Sequence, residues 1–473
     1  MTELRPDSAM TEQPTQRRGV MQSLTGLSVR YVERLMPDPY LFAVLLTLMV
    51  AALVAALVRG ASADGMLQAW YAGVWGRENI FTFAFQMVLI LVTGYTLAEA
   101  PVLKRAIVRV AALPRSQVQG ALLCFSVSAA ASLLNWGLGL VAGALVARQV
   151  ARRFPDSHFG YLIAAAFMGF IVWTQGLSSS IALANTDAGS PINVIHKIAG
   201  FTVPLSQNIF QPYSWLSAIM VLGVLALAVW RMEPSEGLVP DPAVFEEEPE
   251  IAEQRSTTFA EWLENQWILN VLLFAAGITY FVASGFALNI SSTIMLFTIT
   301  SALLHRTPIR FIRAFTGAAK VSGPLLLQYP LYGGLVGLLA YRGAEGSKPL
   351  QTLLAKTLVN GATEYTLPFL TFIGSVIISL FVPSGGGYWA VQGPIAVDSA
   401  LAIGQRSPAY LGLVSMAVAV GEGVANMIQP FWLLPLLAIA KLNVRQVMGF
   451  TIVAFVIGLV ALGAMTLVAP WVI

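Results

Sequence analysis

Long apolar runs separated by short polar segments dominate the pattern of the chain. A run of roughly 20 apolar residues is long enough to cross about 30 Å of hydrocarbon as a helix. Lipid offers the backbone no hydrogen-bond partners, so a crossing segment must be helical. We therefore predict simple spanning helices near residues 40–58, 81–98, 213–230, 267–285, 290–304 and 446–468.

Five further apolar stretches contain interruptions. Three of them, near 159–184, 317–341 and 408–440, carry Gly, Pro or amide residues and are predicted to be discontinuous spanning helices. The other two, 118–147 and 364–402, are too long for one helix and have Gly-rich polar sequence in the middle. We predict a helical hairpin at each. The predicted fold is an all-α polytopic membrane protein with about nine transmembrane helices and two re-entrant hairpins.

Composition agrees with a membrane protein. Of the 473 residues, 57% are hydrophobic and only 11% are charged, which is too few charges to cover a soluble protein of this length. The single cysteine excludes a disulfide framework and a cysteine-ligated metal site. The three histidines have no metal-ligand spacing and no nucleophile beside them. We therefore expect no enzyme, cofactor or resident metal, and the net charge of +3 does not indicate nucleic-acid binding.

The basic residues predict the orientation of the chain. With a cytoplasmic N-terminus, most lysines and arginines fall in the inner connections, as the positive-inside rule requires. Arg109 and Arg115 precede the stretch 118–147, and Arg152 and Arg153 follow it. Both ends of this stretch therefore prefer the cytoplasm, which predicts a hairpin that enters the membrane and returns. The same topology places both ends of the second hairpin outside.

The order of elements predicts two inverted repeats. Residues 1–35 form a cytoplasmic tail, 36–231 the first repeat, 232–266 an acidic cytoplasmic linker, and 267–473 an extra crossing helix followed by the second repeat. Inverted repeats with broken elements at matching positions are typical of secondary transporters. The alternative is a plain helical bundle whose glycines only let helices pack closely, but this does not explain paired interruptions in two halves.

The interruptions supply the candidate site. Broken helices inside a membrane expose backbone groups, which must line a protein cavity. Free N–H groups at a helix N-terminus suit a carboxylate, and free carbonyls suit Na⁺. The predicted substrate-binding residues are Asn135, Trp136, Gly137, Gly139, Thr174, Gln175, Gly176, Ser178, Ser384, Gly385, Gly386, Gly387 and Asn426. None of them is Arg or Lys, so we expect backbone dipoles and short polar side chains to hold a small, singly charged substrate.

Glu422 is the candidate coupling residue. It lies between two glycines, far from both predicted membrane surfaces, and an ionisable group at such depth is costly and functional by default. The alternative is a structural role, as a protonated acid bonded to a neighbouring carbonyl. The coupling ion is expected to be H⁺, carried by Glu422, or Na⁺, held by hairpin carbonyls with Asn135, Ser384 and Asn426.

Four separated motifs resemble the short-chain fatty acid transporter (AtoE-type) family. They are MPDP at 36–39, NWGLGLVAG at 135–143, VPSGGG at 382–387 and QPFW at 429–432, and the similarity extends from about residue 25 to the C-terminus. The resemblance implies ion-driven uptake of acetoacetate or of short-chain fatty acids such as butyrate across the bacterial cytoplasmic (inner) membrane. It also implies kinship with the ion transporter superfamily, in which paired hairpins and broken helices hold substrate and ion, usually in a homodimer.

The chain departs from the family pattern at two places. Thr174, Gln175 and Gly176 stand where family members have a Gly-rich run, and Tyr388 stands where they often have histidine. Because Gln175 adds a donor and an acceptor, it favours a keto- or hydroxy-acid. Two functions stay open as alternatives: a cation/proton antiporter that exchanges ions at Glu422, and a carrier of another small organic anion.

Overall fold

A computed structural model describes residues 39–76, 81–190, 192–245, 258–353, 360–380 and 385–473. In these ranges the chain is helical and no strand forms, apart from an isolated bridge between His158 and Leu238. The predicted tail 1–35, the acidic centre of the linker at 246–257 and the second hairpin's tip at 381–384 lie outside the described residues. The prediction of an all-α fold is confirmed.

The first half contains ten helices among the described residues. They are α1 (Pro39–Leu57), α2 (Ala63–Trp75), α3 (Phe81–Ala98), α4 (Pro101–Ala111), α5 (Gln117–Leu134), α6 (Trp136–Arg153), α7 (Phe159–Gly169), α8 (Ser180–Asn185), α9 (Val194–Ala199) and α10 (Pro212–Arg231). A 3₁₀ turn at Phe170–Gln175 continues α7 toward α8.

The second half contains ten more described helices. They are α11 (Phe259–Glu264), α12 (Trp267–Ala283), α13 (Ile290–Leu304), α14 (Pro308–Ala319), α15 (Gly323–Ala340), α16 (Leu367–Ser379), α17 (Gly385–Ala402), α18 (Pro408–Asn426), α19 (Pro430–Ala440) and α20 (Arg445–Val468). The order hairpin, discontinuous helix, final helix thus occurs in both halves, while the inverted relation between the halves stays a prediction.

Helices form where the apolar runs predicted them, with three differences. The first hairpin extends to Arg153, beyond the predicted end at 147. The predicted segment 317–341 begins inside α14, and α15 runs on through Pro330. The short helices α2, α4, α9, α11 and α14 were not predicted, because polar residues interrupt their apolar sequence and none of them forms a run long enough to cross a membrane.

The described helices are compatible with several membrane crossings. Five are long and apolar enough to cross, or up to seven if each of two bent helix pairs counts as one span. Shorter apolar helices such as α12 and α13 add to these. The number of about nine crossings stays a prediction.

The first hairpin consists of α5 and α6, which pack against each other. Their break is the single residue Asn135, whose backbone is extended (φ −154°, ψ 122°). A Cβ atom added to Gly139 would lie 2.7 Å from the backbone nitrogen of Ser132, and one added to Gly143 would lie 2.9 Å from the Cβ of Ser128. The contacting pairs, Gly139 with Ser132 and Gly143 with Ser128, lie progressively farther from Asn135 in the sequence. The two helices therefore run antiparallel and in close contact.

The second hairpin consists of α16 and α17, which also pack together. The side-chain amide of Gln392 in α17 donates to the carbonyl of Thr371 in α16, at 2.9 Å. This bond joins positions on either side of the tip, so the two arms lie side by side at Thr371 and Gln392.

The discontinuous helices pack onto these hairpins. Helix α7 and its 3₁₀ turn contact α5, and a Cβ on Gly176, just after the turn, would lie 2.7 Å from the Cα of Leu133. Helix α18 contacts the same turn and also packs on α16 and α17. Residues 427–429 then interrupt the chain before α19, which contacts α6. The breaks therefore meet inside the protein.

Candidate functional site

A cavity lies at the tip of the first hairpin, and we call it the hairpin cavity. In this conformation it is narrow, with a volume of about 10 Å³, which is room for about one water molecule. It is lined by Ile90, Leu134, Asn135, Trp136, Leu177, Ser178, Ser180, Leu183, Ile290 and Thr293. All of these described lining residues are uncharged, so the cavity combines an apolar wall with a few short polar groups, as small-molecule sites do.

Asn135 lies at the cavity and has one unpaired amide donor within the described residues. Its Oδ1 accepts the backbone N–H of Leu138 at 2.9 Å and so caps the N-terminus of α6. The opposite end of the amide, Nδ2, is buried and has no hydrogen-bond partner within the described ranges. A buried donor of this kind is costly unless something accepts from it, and Asn135 is one of the residues that line the cavity.

Three more polar groups around the cavity are in the same state. The indole Nε1 of Trp136, the hydroxyl of Ser180 and the hydroxyl of Thr293 are buried and unpaired in the part of the chain that the structure describes. Ser178 differs, because its hydroxyl donates to the carbonyl of Ser132 and so fastens the broken helix to the hairpin. The residues that line the cavity therefore include N–H and O–H groups that are free, within the described residues, to donate to an anionic oxygen.

An aromatic cluster closes one side of the tip. Trp136 meets Trp432 edge to face, with ring centroids 5.1 Å apart. Trp173 lies tilted against the same ring at 5.8 Å, and Phe431 meets it edge to face at 5.3 Å. Such contacts add about 0.5–1.5 kcal/mol per pair beyond area burial. They hold the first hairpin against both interrupted helices.

A chain of polar side chains links three of the breaks. The indole N–H of Trp173 donates to Asn426 Oδ1 at 2.9 Å, and Asn426 Nδ2 donates to Gln429 Oε1 at 2.8 Å. The amide of Gln429 in turn donates to the carbonyl of Ser379 at the end of α16. Both ends of the Asn426 amide are thus used in this series of hydrogen bonds. Asn426 does not line the hairpin cavity.

The side chain of Gln175 points toward α10 and away from the hairpin cavity. Its amide nitrogen donates to the Ser214 carbonyl at 3.1 Å and to the Ser217 hydroxyl at 2.5 Å, both on α10. A second small cavity, of about 20 Å³, lies beside these residues, between α10, α18 and α20. The structure therefore separates Gln175 from Asn135, Trp136 and Ser178, with which the sequence pattern had grouped it.

The predicted site glycines in the first half have packing contacts. A Cβ on Gly137 would lie 2.7 Å from the Cα of Leu91 in α3, and Gly139 and Gly176 face the hairpin backbone as described above. These three residues let helices approach closely, which is what the plain-bundle alternative assigns to glycine. Thr174 lies against α18 near Gly423, and its buried hydroxyl is unpaired as far as the structure describes the chain.

The second hairpin is described only in part. Ser384 lies outside the described residues, and Gly385, Gly386 and Gly387 begin α17. The first N–H groups of a helix have no partner within the helix. The predicted roles of these four residues stay predictions.

Glu422 is fully buried in α18. A Cβ on Gly421 would lie 2.7 Å from the Phe372 carbonyl of α16, and one on Gly423 would lie 2.8 Å from the Ile171 carbonyl of the 3₁₀ turn. Backbone therefore crowds α18 on both sides of Glu422. Neither carboxyl oxygen has a hydrogen-bond partner among the residues described, although burying an unpaired carboxylate is very costly.

Two polar residues near the site were not predicted. Asn185, at the end of α8, accepts the indole N–H of Trp389 from the second hairpin at 3.1 Å, and its own Nδ2 is buried and unpaired within the described parts of the chain. Thr293 reaches the hairpin cavity from α13. Asn185 could have been found as an amide inside an apolar run, whereas Thr293 carries no local signal because its role depends on which helix packs beside the tip.

Comparison with known proteins supplies the family. A family model described as short chain fatty acid transporter matches residues 20–468. A protein of Escherichia coli (strain K12), provisionally named a short-chain fatty acid transporter, is 37% identical over 451 residues, 92% of this chain and 98% of the relative. A protein of Haemophilus influenzae with the same provisional name is 34% identical over 439 residues, 90% of this chain and 95% of the relative.

Among solved structures, the chain is similar to the Alcanivorax borkumensis YdaH transporter, at 16% identity and a TM-score of 0.48 over 91% of this chain and 98% of that one. The whole-length family match and the two relatives decide the assignment. The chain belongs to the short-chain fatty acid transporter family.

Proposed function

We propose that this protein takes up short-chain monocarboxylates, such as acetoacetate and butyrate, across the bacterial cytoplasmic membrane by ion-coupled symport with alternating access. The observation that carries the proposal is the hairpin cavity. Its unpaired N–H and O–H donors stand beside an apolar wall, which is the complement of a carboxylate with a short alkyl chain. The family membership agrees with this substrate class.

The substrate carboxylate would accept from Asn135 Nδ2, Trp136 Nε1 and the Ser180 hydroxyl. Hydrogen bonds to a charged group contribute about 1.5–3 kcal/mol each, so two or three of them replace much of the hydration that a carboxylate loses. The alkyl chain would lie against leucine and isoleucine side chains such as Ile90 and Leu183. With uncharged walls, the cavity favours one negative charge over two.

Coupling by H⁺ through Glu422 is the mechanism we propose for energising uptake. A fully buried carboxyl group without a partner is stable when neutral, and a conformation that opens it to water lets the proton leave. Sodium is the less favoured ion, because Asn426 already uses its side-chain oxygen for Trp173 and its amide for Gln429. In this scheme the hairpin tips move against the remaining helices and expose the cavity alternately to each side.

One observation favours a second candidate function, a cation/proton antiporter. The same isolated Glu422 could exchange a proton for a cation without any organic substrate. Cation flux through the purified protein that persists when no carboxylate is present would favour this candidate over the symporter.

Asn135→Ser tests the substrate site directly. Serine keeps the oxygen that caps α6 but removes the amide donor at the cavity. Equilibrium dialysis of the purified protein with radiolabelled butyrate should show a dissociation constant raised at least about tenfold, as expected for the loss of one charged hydrogen bond. Asn443→Ser is the matched control, since Asn443 is an exposed asparagine whose Oδ1 accepts from the backbone of Arg445 and Gln446 far along the chain. Equal affinities of Asn135→Ser and the wild type would contradict the assignment.

A further inference from the structure

Two hydrogen bonds of the same kind join the two halves of the chain. The indole N–H of Trp173, in the first half, donates to Asn426 Oδ1 in the second half at 2.9 Å. The indole N–H of Trp389, in the second half, donates to Asn185 Oδ1 in the first half at 3.1 Å. Both asparagines end a helix, and all four side chains are buried. Each half therefore supplies one donor and one acceptor to the contact between them.

The two contacts differ in how firmly they are braced. Asn426 also donates to Gln429, whose amide donates to the carbonyl of Ser379, so that contact belongs to a series of three hydrogen bonds. At Asn185 the other end of the amide, Nδ2, has no partner among the described residues. The contact between Trp389 and Asn185 can therefore open with the loss of one side-chain hydrogen bond.

Asn185 stays with the first half if this contact opens. Its backbone carbonyl accepts from Asn193 Nδ2 at 3.1 Å and from the backbone N–H of Val203 at 2.9 Å. Asn193 is itself buried, and its Oδ1 caps the N-terminus of α9. Both partners lie in the first half, so they fix Asn185 independently of the second hairpin.

Trp389 moves with the second hairpin. A Cβ added to Gly393, one turn later in α17, would lie 2.9 Å from the Cδ2 atom of the indole, so the ring lies over this glycine. Gln392 fastens α17 to Thr371 of α16 at 2.9 Å. Helix α17 also packs on α8 and α9. The position of the indole N–H therefore follows the position of the second hairpin.

Helix α8 connects this contact with the hairpin cavity. It is only six residues long. Ser180 and Leu183 of this helix line the cavity, and Asn185 at its end accepts from Trp389. A movement of the second hairpin that breaks the bond therefore frees the short helix that carries two of the lining residues.

We infer that Trp389 and Asn185 are positioning residues: their bond holds the second hairpin against α8 and keeps the hairpin cavity narrow, and its release lets the cavity widen. The inference rests on the proposed function, because a cavity with room for about one water molecule must widen before it holds butyrate. Neither residue lines the cavity, so both act through α8 and not on the substrate.

Hydrogen exchange of the full-length purified protein, followed by mass spectrometry without any substrate, tests the contact itself. Trp389→Phe keeps a ring over Gly393 but removes the N–H. Amide exchange in α8 and α17 should become about fivefold faster, as expected for the loss of one buried hydrogen bond, while the other helices keep their rates. Trp70→Phe is the matched control, since the Trp70 indole N–H is also buried but has no partner within the described residues. Unchanged exchange in α8 and α17, or faster exchange in every helix, would overturn the inference.

Equilibrium dialysis with radiolabelled butyrate tests the consequence for the cavity. Trp389→Phe and Asn185→Leu should bind butyrate up to about fivefold more tightly than the wild type, because the binding-competent population rises when the narrow state loses a bond. Asn185→Asp keeps an oxygen for the indole N–H and should bind butyrate as the wild type does. A purely structural contact would give equal or weaker binding in the first two variants, and that result would overturn the inference. A wild type that binds no butyrate would contradict the proposed function, whereas the exchange rates decide for or against the contact without any substrate.

Discussion

Buried polar groups without partners occur at many places in the described residues, and four of them belong to residues that line the hairpin cavity. Asn135 is the clearest case, because one end of its amide caps α6 while the other has no partner among the described residues. The motif around Asn135 and Trp136 led to this place from the sequence alone. The sequence could not separate the glycines that pack from the side chains that face the cavity, since that distinction depends on which helices lie against the tip.

Trp136→Phe should weaken butyrate binding. The change keeps an aromatic ring against Trp432 but removes the indole N–H from the hairpin cavity. We expect a rise of about tenfold in KM for uptake, measured in proteoliposomes. Trp432→Phe is the control, because its Nε1 is also buried and unpaired within the described residues but does not line the cavity. A similar rise in both variants would mean that ring packing, and not the donor, matters.

Glu422→Gln should uncouple transport from the proton gradient. Glutamine is nearly isosteric with a protonated glutamic acid but cannot release a proton. We expect substrate exchange without a gradient to persist, while the acceleration of uptake by an inward H⁺ gradient disappears. The measurement compares both activities in the same proteoliposome preparation. A gradient response equal to that of the wild type would remove Glu422 from the coupling role.

At the scale of elements, apolar runs predicted most of the long helices and the first hairpin. The apolar runs did not predict α4 and α14, because basic residues interrupt the apolar sequence of both helices. They also grouped Gln175 with the first hairpin, whereas the 3₁₀ turn directs its amide toward α10. Local sequence shows where a helix breaks, but the rotation of the chain through the break decides which neighbour each side chain meets.

Gly139→Ala should destabilise the first hairpin. The added Cβ would lie 2.7 Å from the backbone nitrogen of Ser132, and backbone cannot yield by changing rotamer. We expect a loss of at least about 2 kcal/mol in stability, seen as a lower melting temperature in detergent. Gly223→Ala in α10 is the matched control, since nothing lies within 4 Å of its added Cβ. There alanine should stabilise the helix by up to about 1 kcal/mol; equal effects in both variants would contradict close packing of the hairpin.

At the scale of the whole molecule, hydrogen bonds inside the protein link the two discontinuous helices with the second hairpin's first arm. Trp173, Asn426 and Gln429 connect the first discontinuous helix with the second and with α16. A ligand in the hairpin cavity therefore touches an assembly that is joined across both halves of the chain. This connection is what a rocking or sliding mechanism needs, because movement of one break must reach the others.

The most direct test of the central claim is counterflow in proteoliposomes of the purified protein, with radiolabelled acetoacetate and butyrate and with H⁺ and Na⁺ gradients imposed separately. The account predicts saturable uptake that competes between the two acids and is accelerated by an inward H⁺ gradient. No saturable uptake of either acid, or cation flux that continues unchanged in the absence of any carboxylate, would contradict it.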